Sequence, residues 1–258
     1  MSKNKGILII LLALLVFVGW AGDTAYAAPD PQNPIPGISV NVDSGSGASG
    51  ASSTISVILL LTVLSLAPSF LILMTSFTRI VIVLGFVRTS LGTQQMPPNQ
   101  VLIGLALFLT LFIMAPTLGQ INDTAVQPYM KGELNQTQAL QKASVPIKQF
   151  MWNHTRPKDL KLFLDYTKAE APKGVEDTPL TALVPAYAIS ELKTAFQMGF
   201  MIFIPFLVID MVIASTLMAM GMMMLPPVMI SLPFKILLFI LVDGWYLVVK
   251  SLLLSYST

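Results

Sequence analysis

The sequence of 258 residues contains no cysteine and a single histidine, His154. Without thiols the chain has no disulfide, no cysteine nucleophile and no sulfur-ligated metal. One imidazole with no carboxylates clustered around it does not make a transition-metal site. We therefore expect no metal and no cofactor, and we interpret His154 as a surface residue.

Charge is scarce as well. Charged residues make up 11% of the chain and hydrophobic residues 54%, whereas a typical globular domain carries roughly 25% charge. This composition is typical of a membrane protein. The net charge of +2 is too small to favour nucleic acid as a partner.

Catalytic motifs are also lacking. Ser190 and Lys193 have the Ser-x-x-Lys spacing of some acyl-transfer enzymes, but Lys193-Thr194 is followed by Ala195 rather than glycine, and the partner motifs of that class are absent. No phosphate-binding glycine loop occurs. We predict that the chain is not an enzyme and has no catalytic residues.

The first 54 residues predict two segments that do not belong to the folded part. Residues 1–27 have the basic start and short apolar run of a secretory signal peptide, with Ala25 and Ala27 at a small-x-small cleavage site. The alternative is an uncleaved membrane anchor. Residues 28–54 are rich in Gly, Ser and Pro and predict a flexible tether.

Residues 55–118 predict a first helical hairpin. Ile55–Met74 is uncharged, mainly apolar and long enough to cross a bilayer, and we expect its helix to continue to Thr89. A polar Gly/Pro-containing turn then leads to a second apolar helix at Val101–Leu118.

Residues 119–184 differ sharply in composition, because they hold eight of the 15 basic and seven of the 13 acidic residues. Within them Leu160, Phe163 and Leu164 recur at helical spacing among charges. We predict a polar, helical, water-facing insert.

Residues 185–258 predict a second helical hairpin that turns at Pro226-Pro227. Its first apolar segment contains Pro205, which we expect to break the helix. Six of the 15 methionines lie around the turn, namely Met218, Met220, Met222, Met223, Met224 and Met229. Because methionine is flexible and polarizable, such a cluster predicts either a loosely packed core turn or a soft surface that yields to varied shapes.

Four crossings with the N-terminus outside the cytoplasm place the insert and the C-terminus outside as well. The positive-inside count neither supports nor refutes this topology, because few basic residues flank the short loops.

Several charged residues lie in or beside segments that are apolar enough to span a membrane. An unpaired charge that faces lipid there is costly. They either pair to set helix register or line a pathway. A proton relay is poorly supported, since Asp210 has no other acid within four residues. The charges are Arg79, Glu191, Asp210, Lys235 and Asp243.

Ala195 and Gly199 are spaced by four, which permits close approach of another helix and suggests assembly with other subunits.

Four long segments carry a family resemblance: PSFLILMTSFTRIVIVLGFVR, MPPNQVLIGLALFLTLFIMAPT, PAYAISELKTAFQMGF and LPFKILLFILVDGW. Over roughly 55–255 the chain resembles the FliP family of flagellar biosynthetic proteins. Several long motifs that agree in order are more specific than any short motif.

The resemblance implies an all-α membrane protein whose two long hairpins and helical polar insert assemble into a helical multi-subunit pore. It implies a homo-oligomer, a pentamer, joined by FliR and FliQ and then by FlhB and FlhA. This assembly would be the flagellar type III export gate of the basal body in the cytoplasmic membrane, and unfolded flagellar subunits would pass through it.

The resemblance also implies site residues. A methionine-rich loop narrows the pore as a gasket in the family, and the matching positions are Met222, Met223 and Met224. Arg156, Glu191, Asp210 and Lys235 match polar positions used in subunit contacts or folding.

Two alternatives remain open at this point. The injectisome gate subunit is homologous, but it commonly lacks the signal peptide and the long tether. An ion or small-molecule transporter subunit would need polar groups at a helix break in the membrane, for which Pro205 to Asp210 is the sole candidate.

Overall fold

The computed structural model describes residues 58, 61–62, 64–66, 68–70, 72–93, 95–168, 172, 174–222 and 224–257. The predicted signal peptide, with Ala25 and Ala27, and the predicted tether lie outside the described residues. Within the described residues every regular element is helical. From Phe77 onward they are α1 Phe77–Leu91, α2 Asn99–Ile121, a π-helical turn Asn122–Val126, α3 Gln127–Met130, α4 Gln136–His154, α5 Pro157–Thr167, α6 Leu180–Ala219, α7 Pro227–Leu241 and α8 Gly244–Leu254.

Among the described residues, two helical stretches, Asn99–Met130 and Leu180–Ala219, are long and apolar enough to cross a membrane. Two bent pairs raise that number to four if each pair counts as one span. The pairs are Leu64–Met74 with α1, bent by 69°, and α7 with α8, bent by 62°. The apolar run of the first hairpin therefore does not continue straight to Thr89, because the chain turns sharply before α1.

Helix α1 lies at the centre of the larger core. Ile80, Leu84, Val87 and Leu91 recur every three or four residues and are buried, as expected for one apolar face of a helix. This face packs chiefly against α6 and also against α2. Side chains from α7 and α8 complete the same core.

Gly199 allows α1 and α6 to come this close. A Cβ at Gly199 would lie 2.4 Å from ring atoms of Phe86 on α1, and Ala195, one turn earlier, is fully buried. The small-residue pair that suggested assembly between subunits is thus used for packing within the chain.

Helix α6 runs for 40 residues through both Pro185 and Pro205, a length of about 60 Å. The expected break at Pro205 is absent. A proline removes one backbone hydrogen bond. Transmembrane helices tolerate this where neighbouring helices or side chains satisfy the backbone group that is left free. Here α1 and α7 both pack along α6.

The helical structure that begins at Asn99 extends past residue 119, where the polar insert is predicted to begin. The helix of α2 continues past Leu118, and the π-helical turn carries it into α3, which ends at Met130. Helices α4 and α5 lie within the segment predicted as the polar insert. Helix α4 begins with a capping box between Asn135 and Gln138, which satisfies two of the backbone N–H groups that are free at a helix start.

A second core joins α4 and α5 to the N-terminal part of α6. The residues buried in it include Phe150, Met151, Leu160, Leu164 and Tyr187. Helix α5 covers the charged segment whose periodicity predicted a helix, and Leu160 and Leu164 face inward as expected.

The packing at Gly199 gives a first prediction. Gly199→Ala should destabilise the protein by about 1–3 kcal/mol, because the new methyl group overlaps Phe86 in a packed interface. Gly85→Ala on α1 is the matched control, since nothing lies within 4 Å of its Cβ position and alanine favours a helix over glycine by about 1 kcal/mol. Thermal unfolding in detergent should show opposite signs, and equal melting temperatures would contradict the packing role.

Candidate functional site: the methionine turn and the buried ion pairs

The methionine turn, residues 218–225, begins where α6 ends. The Gly221 N–H donates to the Met218 carbonyl and the Met222 N–H to the Leu217 carbonyl, both at 3.0 Å. These two bonds form a Schellman motif, which requires a left-handed residue, and Gly221 has φ +74°. Pro227 then occupies the first turn of α7, where its missing N–H costs nothing.

The methionine side chains of this turn lie on the surface of the chain. Met222 is 41% exposed and Met224 is 99% exposed; Met223 lies outside the described residues. Met218, Met220 and Met229 are exposed as well. A loosely packed core turn would bury these thioethers, so that interpretation is wrong.

The first ion pair lies behind the methionine turn and joins α6 to α7. The Lys235 ammonium donates to Asp210 Oδ2 at 2.6 Å and to the Ser90 carbonyl at 3.1 Å. The Ser231 hydroxyl donates to Asp210 Oδ1 at 2.5 Å. Lys235 is 3% exposed. Its buried ammonium group thus joins three helices, because its partners Ser90 and Asp210 lie on α1 and α6 and Lys235 itself lies on α7.

The second ion pair joins α1 to α6 at the other end of the larger core. Arg79 donates through Nε to Glu191 Oε2 at 2.9 Å and pairs through Nη2 with Oε1. Glu191 is fully buried. The two ends of the guanidinium thus meet both carboxylate oxygens, the strongest geometry for such a pair.

Ser255 and Tyr256 supply further hydrogen bonds to this second ion pair. Arg79 Nη1 donates to the carbonyl and hydroxyl oxygens of Ser255, at 3.1 and 2.9 Å. The Tyr256 hydroxyl donates to Glu191, and the Arg79 guanidinium lies 3.9 Å from the centre of the Tyr256 ring. Burial raises the pKa of Tyr256 far above its ordinary value, so this hydroxyl remains a donor.

His154 contacts the same tyrosine. Its ring centre lies 4.9 Å from that of Tyr256 and 4.8 Å from that of Phe150, and its Nδ1 is 2.8 Å from the Phe150 carbonyl. The interpretation of His154 as a surface residue is wrong, because it packs between two aromatic rings.

Arg156 lies at the junction of α4 and α5 and pairs with Asp159 at 2.7 Å. Its backbone N–H donates to the Ser190 hydroxyl at 3.0 Å, and that hydroxyl donates to Asp159 at 2.6 Å. Ser190 therefore joins α6 to α5, whereas Lys193 is exposed. The Ser-x-x-Lys spacing does not place a nucleophile against a base.

Asp243 is the exception among the predicted buried charges. It lies at the bend between α7 and α8 with φ +51°, it is exposed, and no ion pair joins it to another described residue. The next residue, Gly244, is packed against the Phe239 ring. The sharp bend brings Asp243 to the surface of the chain, so Asp243 is not one of the charges buried within the chain.

Sequence reasoning missed the groups that complete the two ion pairs. Ser231 precedes Lys235 by four residues and so shares its helix face, a spacing that could have identified it. Ser90, Ser255 and Tyr256 gave no comparable signal, because they lie far from their partners along the chain.

Comparison with known proteins shows the family of this chain. Residues 60–252 match the FliP family. The chain is 68% identical over 217 residues to the flagellar biosynthetic protein FliP of Bacillus subtilis (strain 168), covering 84% of this chain and 98% of that protein. It is 52% identical over 218 residues to the FliP protein of Caulobacter vibrioides, covering 84% and 82%. It is 49% identical over 206 residues to that of Aquifex aeolicus, covering 79% and 86%.

The match spans the core, both ion pairs and the methionine turn. Such identity over most of both chains shows the family and, with it, the class of activity. The chain belongs to the FliP family and is a non-enzymatic membrane component of the flagellar export gate.

Proposed function

We propose that this chain is the pore-lining subunit of the gate and that its methionine turn closes the pore around the exported polypeptide. The observation that carries this proposal is the exposure of the thioethers of Met222 and Met224 at the tip of a firmly capped turn. An apolar side chain exposed at such a tip is stabilised if it meets the same turn from other copies.

Methionine suits such a closure for a physical reason. Its side chain is unbranched and rotates about three bonds, so a ring of thioethers adapts to many peptide shapes. The ring is also apolar, and an apolar constriction resists the passage of hydrated ions. Met222, Met223 and Met224 together are the proposed gasket.

The exposed apolar surface supports assembly with other subunits. Phe108 and Phe112 on α2 and Phe200 and Met201 on α6 are all more than half exposed, and patches of this kind mark contacts with protein or lipid. We propose five copies joined by FliR and FliQ, with FlhB and FlhA added later.

The proposed organisation follows the predicted segments. A signal peptide is cleaved after Ala27, a tether covers residues 28–54, and the two hairpins flank an extracytoplasmic insert. Helices α1 and α2 belong to the first hairpin, and α6, α7 and α8 to the second.

The two buried ion pairs are proposed to hold α1, α6 and α7 together within the chain rather than to contact a neighbouring subunit. Arg79, Glu191 and Lys235 are each at most 3% exposed, so little of these side chains is free for a partner. Arg156 is different, because its side chain is 32% exposed and its Nε is buried without a hydrogen-bond partner. It is the better candidate for a subunit contact.

The transporter alternative is disfavoured by the geometry around Asp210. Helix α6 passes through Pro205 without a break, and Asp210 is already paired with Lys235 and Ser231. Both carboxylate oxygens of Asp210 therefore already have a partner within the chain, which disfavours a role in binding an ion. The injectisome alternative is disfavoured by the names of the relatives, which are flagellar proteins.

The first prediction here concerns the gasket. Replacing Met222, Met223 and Met224 together with alanine should raise the ion permeability of the assembled gate, because the shorter side chains leave a gap. Replacement with leucine should retain most of the seal. Conductance of the purified gate in planar bilayers measures both.

The control is the double change Met96→Ala and Met130→Ala, at two exposed methionines far from the turn in sequence. If the triple alanine variant conducts no better than this control, the gasket proposal is wrong.

The second prediction concerns the pair behind the turn. Asp210→Asn leaves the Lys235 charge buried without its counter-ion, which typically costs about 3–5 kcal/mol. We expect a large loss of assembled complex and of motility. Combining it with Lys235→Met removes the stranded charge and should restore part of the yield.

Asp243→Asn is the matched control, because it removes an exposed acid from the same hairpin and should leave yield and motility unchanged. Equal effects of Asp210→Asn and Asp243→Asn, or no recovery in the double variant, would contradict the role assigned to the pair.

A further inference from the structure

The methionine turn concentrates exposed thioethers in one short segment. Its described methionines are Met218, 62% exposed, Met220, 70% exposed, Met222, 41% exposed, and Met224, 99% exposed. Met114 and Met151 have the opposite environment in the same chain, because they are almost completely buried in the second core. A small molecule in solution therefore reaches the methionines of the turn but not those of the second core.

The composition of the chain directs a mild oxidant to these side chains. The sequence has no cysteine, so no thiol within the chain competes for the oxidant. Methionine is then the principal side chain that a peroxide converts, and the product is methionine sulfoxide. Hydrogen peroxide is small and uncharged, so it reaches an exposed thioether without a dedicated binding site.

Oxidation changes the property on which the proposed seal depends. The sulfoxide carries a polar S–O bond, so a flexible apolar side chain becomes a polar one that accepts hydrogen bonds from water. An apolar constriction excludes hydrated ions because water is unstable inside it. Each copy contributes the same thioethers to the same constriction, so their oxidation makes the whole ring polar and lets water enter.

The fold of the turn does not depend on its thioethers. The bonds from the Gly221 N–H to the Met218 carbonyl and from the Met222 N–H to the Leu217 carbonyl join backbone atoms alone. The positive φ of Gly221 is likewise a backbone feature. Oxidation therefore alters the surface of the turn and leaves its backbone in place, which is what a reversible modification requires.

We infer that the methionine turn is a site of reversible oxidation by peroxides, and that its sulfoxide form opens the resting gate to ions. This inference rests on the proposed gasket and adds a regulation of that same site.

The oxidation is a two-electron transfer of one oxygen atom. The thioether sulfur attacks one oxygen of hydrogen peroxide, so that an S–O bond forms while the O–O bond breaks. The released hydroxide takes the proton left on the transferred oxygen and departs as water. The sulfur is thereby oxidised and the peroxide reduced. A methionine sulfoxide reductase restores the thioether: two of its thiols are oxidised to a disulfide, and the sulfoxide oxygen leaves as water.

Peptide mapping by mass spectrometry tests the site. The full-length chain, assembled with FliR and FliQ in detergent, receives a limited dose of hydrogen peroxide. We expect severalfold more sulfoxide at Met220 and Met224 than at Met114 and Met151 in the same sample, because the latter two are buried. Equal oxidation of the turn and the second core in an intact complex overturns the site.

Conductance of the same gate in planar bilayers tests the effect. Peroxide should raise the ion conductance of the unmodified gate severalfold, and later treatment with methionine sulfoxide reductase and a dithiol should return it to its starting value. No variant is needed here, so the result does not depend on whether a variant folds. An unchanged conductance at a turn shown to be oxidised overturns the inference, and so does a rise that the reductase fails to reverse.

Two variants localise the response. Methionine→leucine at all five methionines of residues 218–225 keeps apolar side chains but removes the sulfur, so peroxide should leave the conductance of this variant at its own starting value. The matched control is Met96→Leu with Met130→Leu, at two exposed methionines outside the turn, and it should respond to peroxide as the unmodified gate does. A response that persists in the first variant or is lost in the second overturns the inference.

The alanine variant of Met222, Met223 and Met224 separates this inference from the proposed function. A gate that leaks with alanine at these positions but not after oxidation of the unmodified turn overturns the inference and leaves the proposed function intact. A gate that leaks in neither case overturns both.

Discussion

The pairing of Arg79 with Glu191 is the interaction on which the rest of the structure depends. Two charges that are almost completely removed from water carry a desolvation cost of several kcal/mol each, which is offset only when geometry and further hydrogen bonds are good. Here Ser255 and Tyr256 supply those bonds. The start of α1, the N-terminal third of α6 and the residues that follow α8 must therefore meet at one point.

A second fixed point lies 19 residues further along α6, at Asp210, which is about 28 Å away for a helix. Lys235 and Ser231 bring α7 to this point, and the Ser90 carbonyl brings the end of α1. Between the two points Phe86 packs over Gly199, so α1 and α6 have little freedom to slide. The methionine turn follows directly at the end of α6, beyond these two fixed points. Its backbone position is held by Gly221 and Pro227, while its side chains remain free to adapt, a combination that suits a seal around a moving polypeptide.

Several elements were predictable because their signals are local. The Pro226-Pro227 turn and the amphipathic helix at α5 follow from residues that are neighbours along the chain. The predictions that failed needed information from elsewhere. Pro205 does not break α6, because neighbouring helices support that helix. Ala195 and Gly199 signalled close packing correctly, but their partner is α1 rather than another subunit. Asp243 has the same charge and apolar flanks as Asp210, yet the bend after α7 places it on the surface.

The sequence by itself determined that this is a helical membrane protein with two apolar regions around a polar insert and a methionine-rich turn, because composition, run length and periodicity act within a few turns of helix. Long shared motifs determined its family. Only the tertiary structure decided which charges pair, since Arg79 and Glu191 are 112 positions apart and Arg79 and Ser255 are 176 apart. It also decided which of the described methionines are exposed. Burial and pairing depend on how distant helices pack, and no local pattern contains that information.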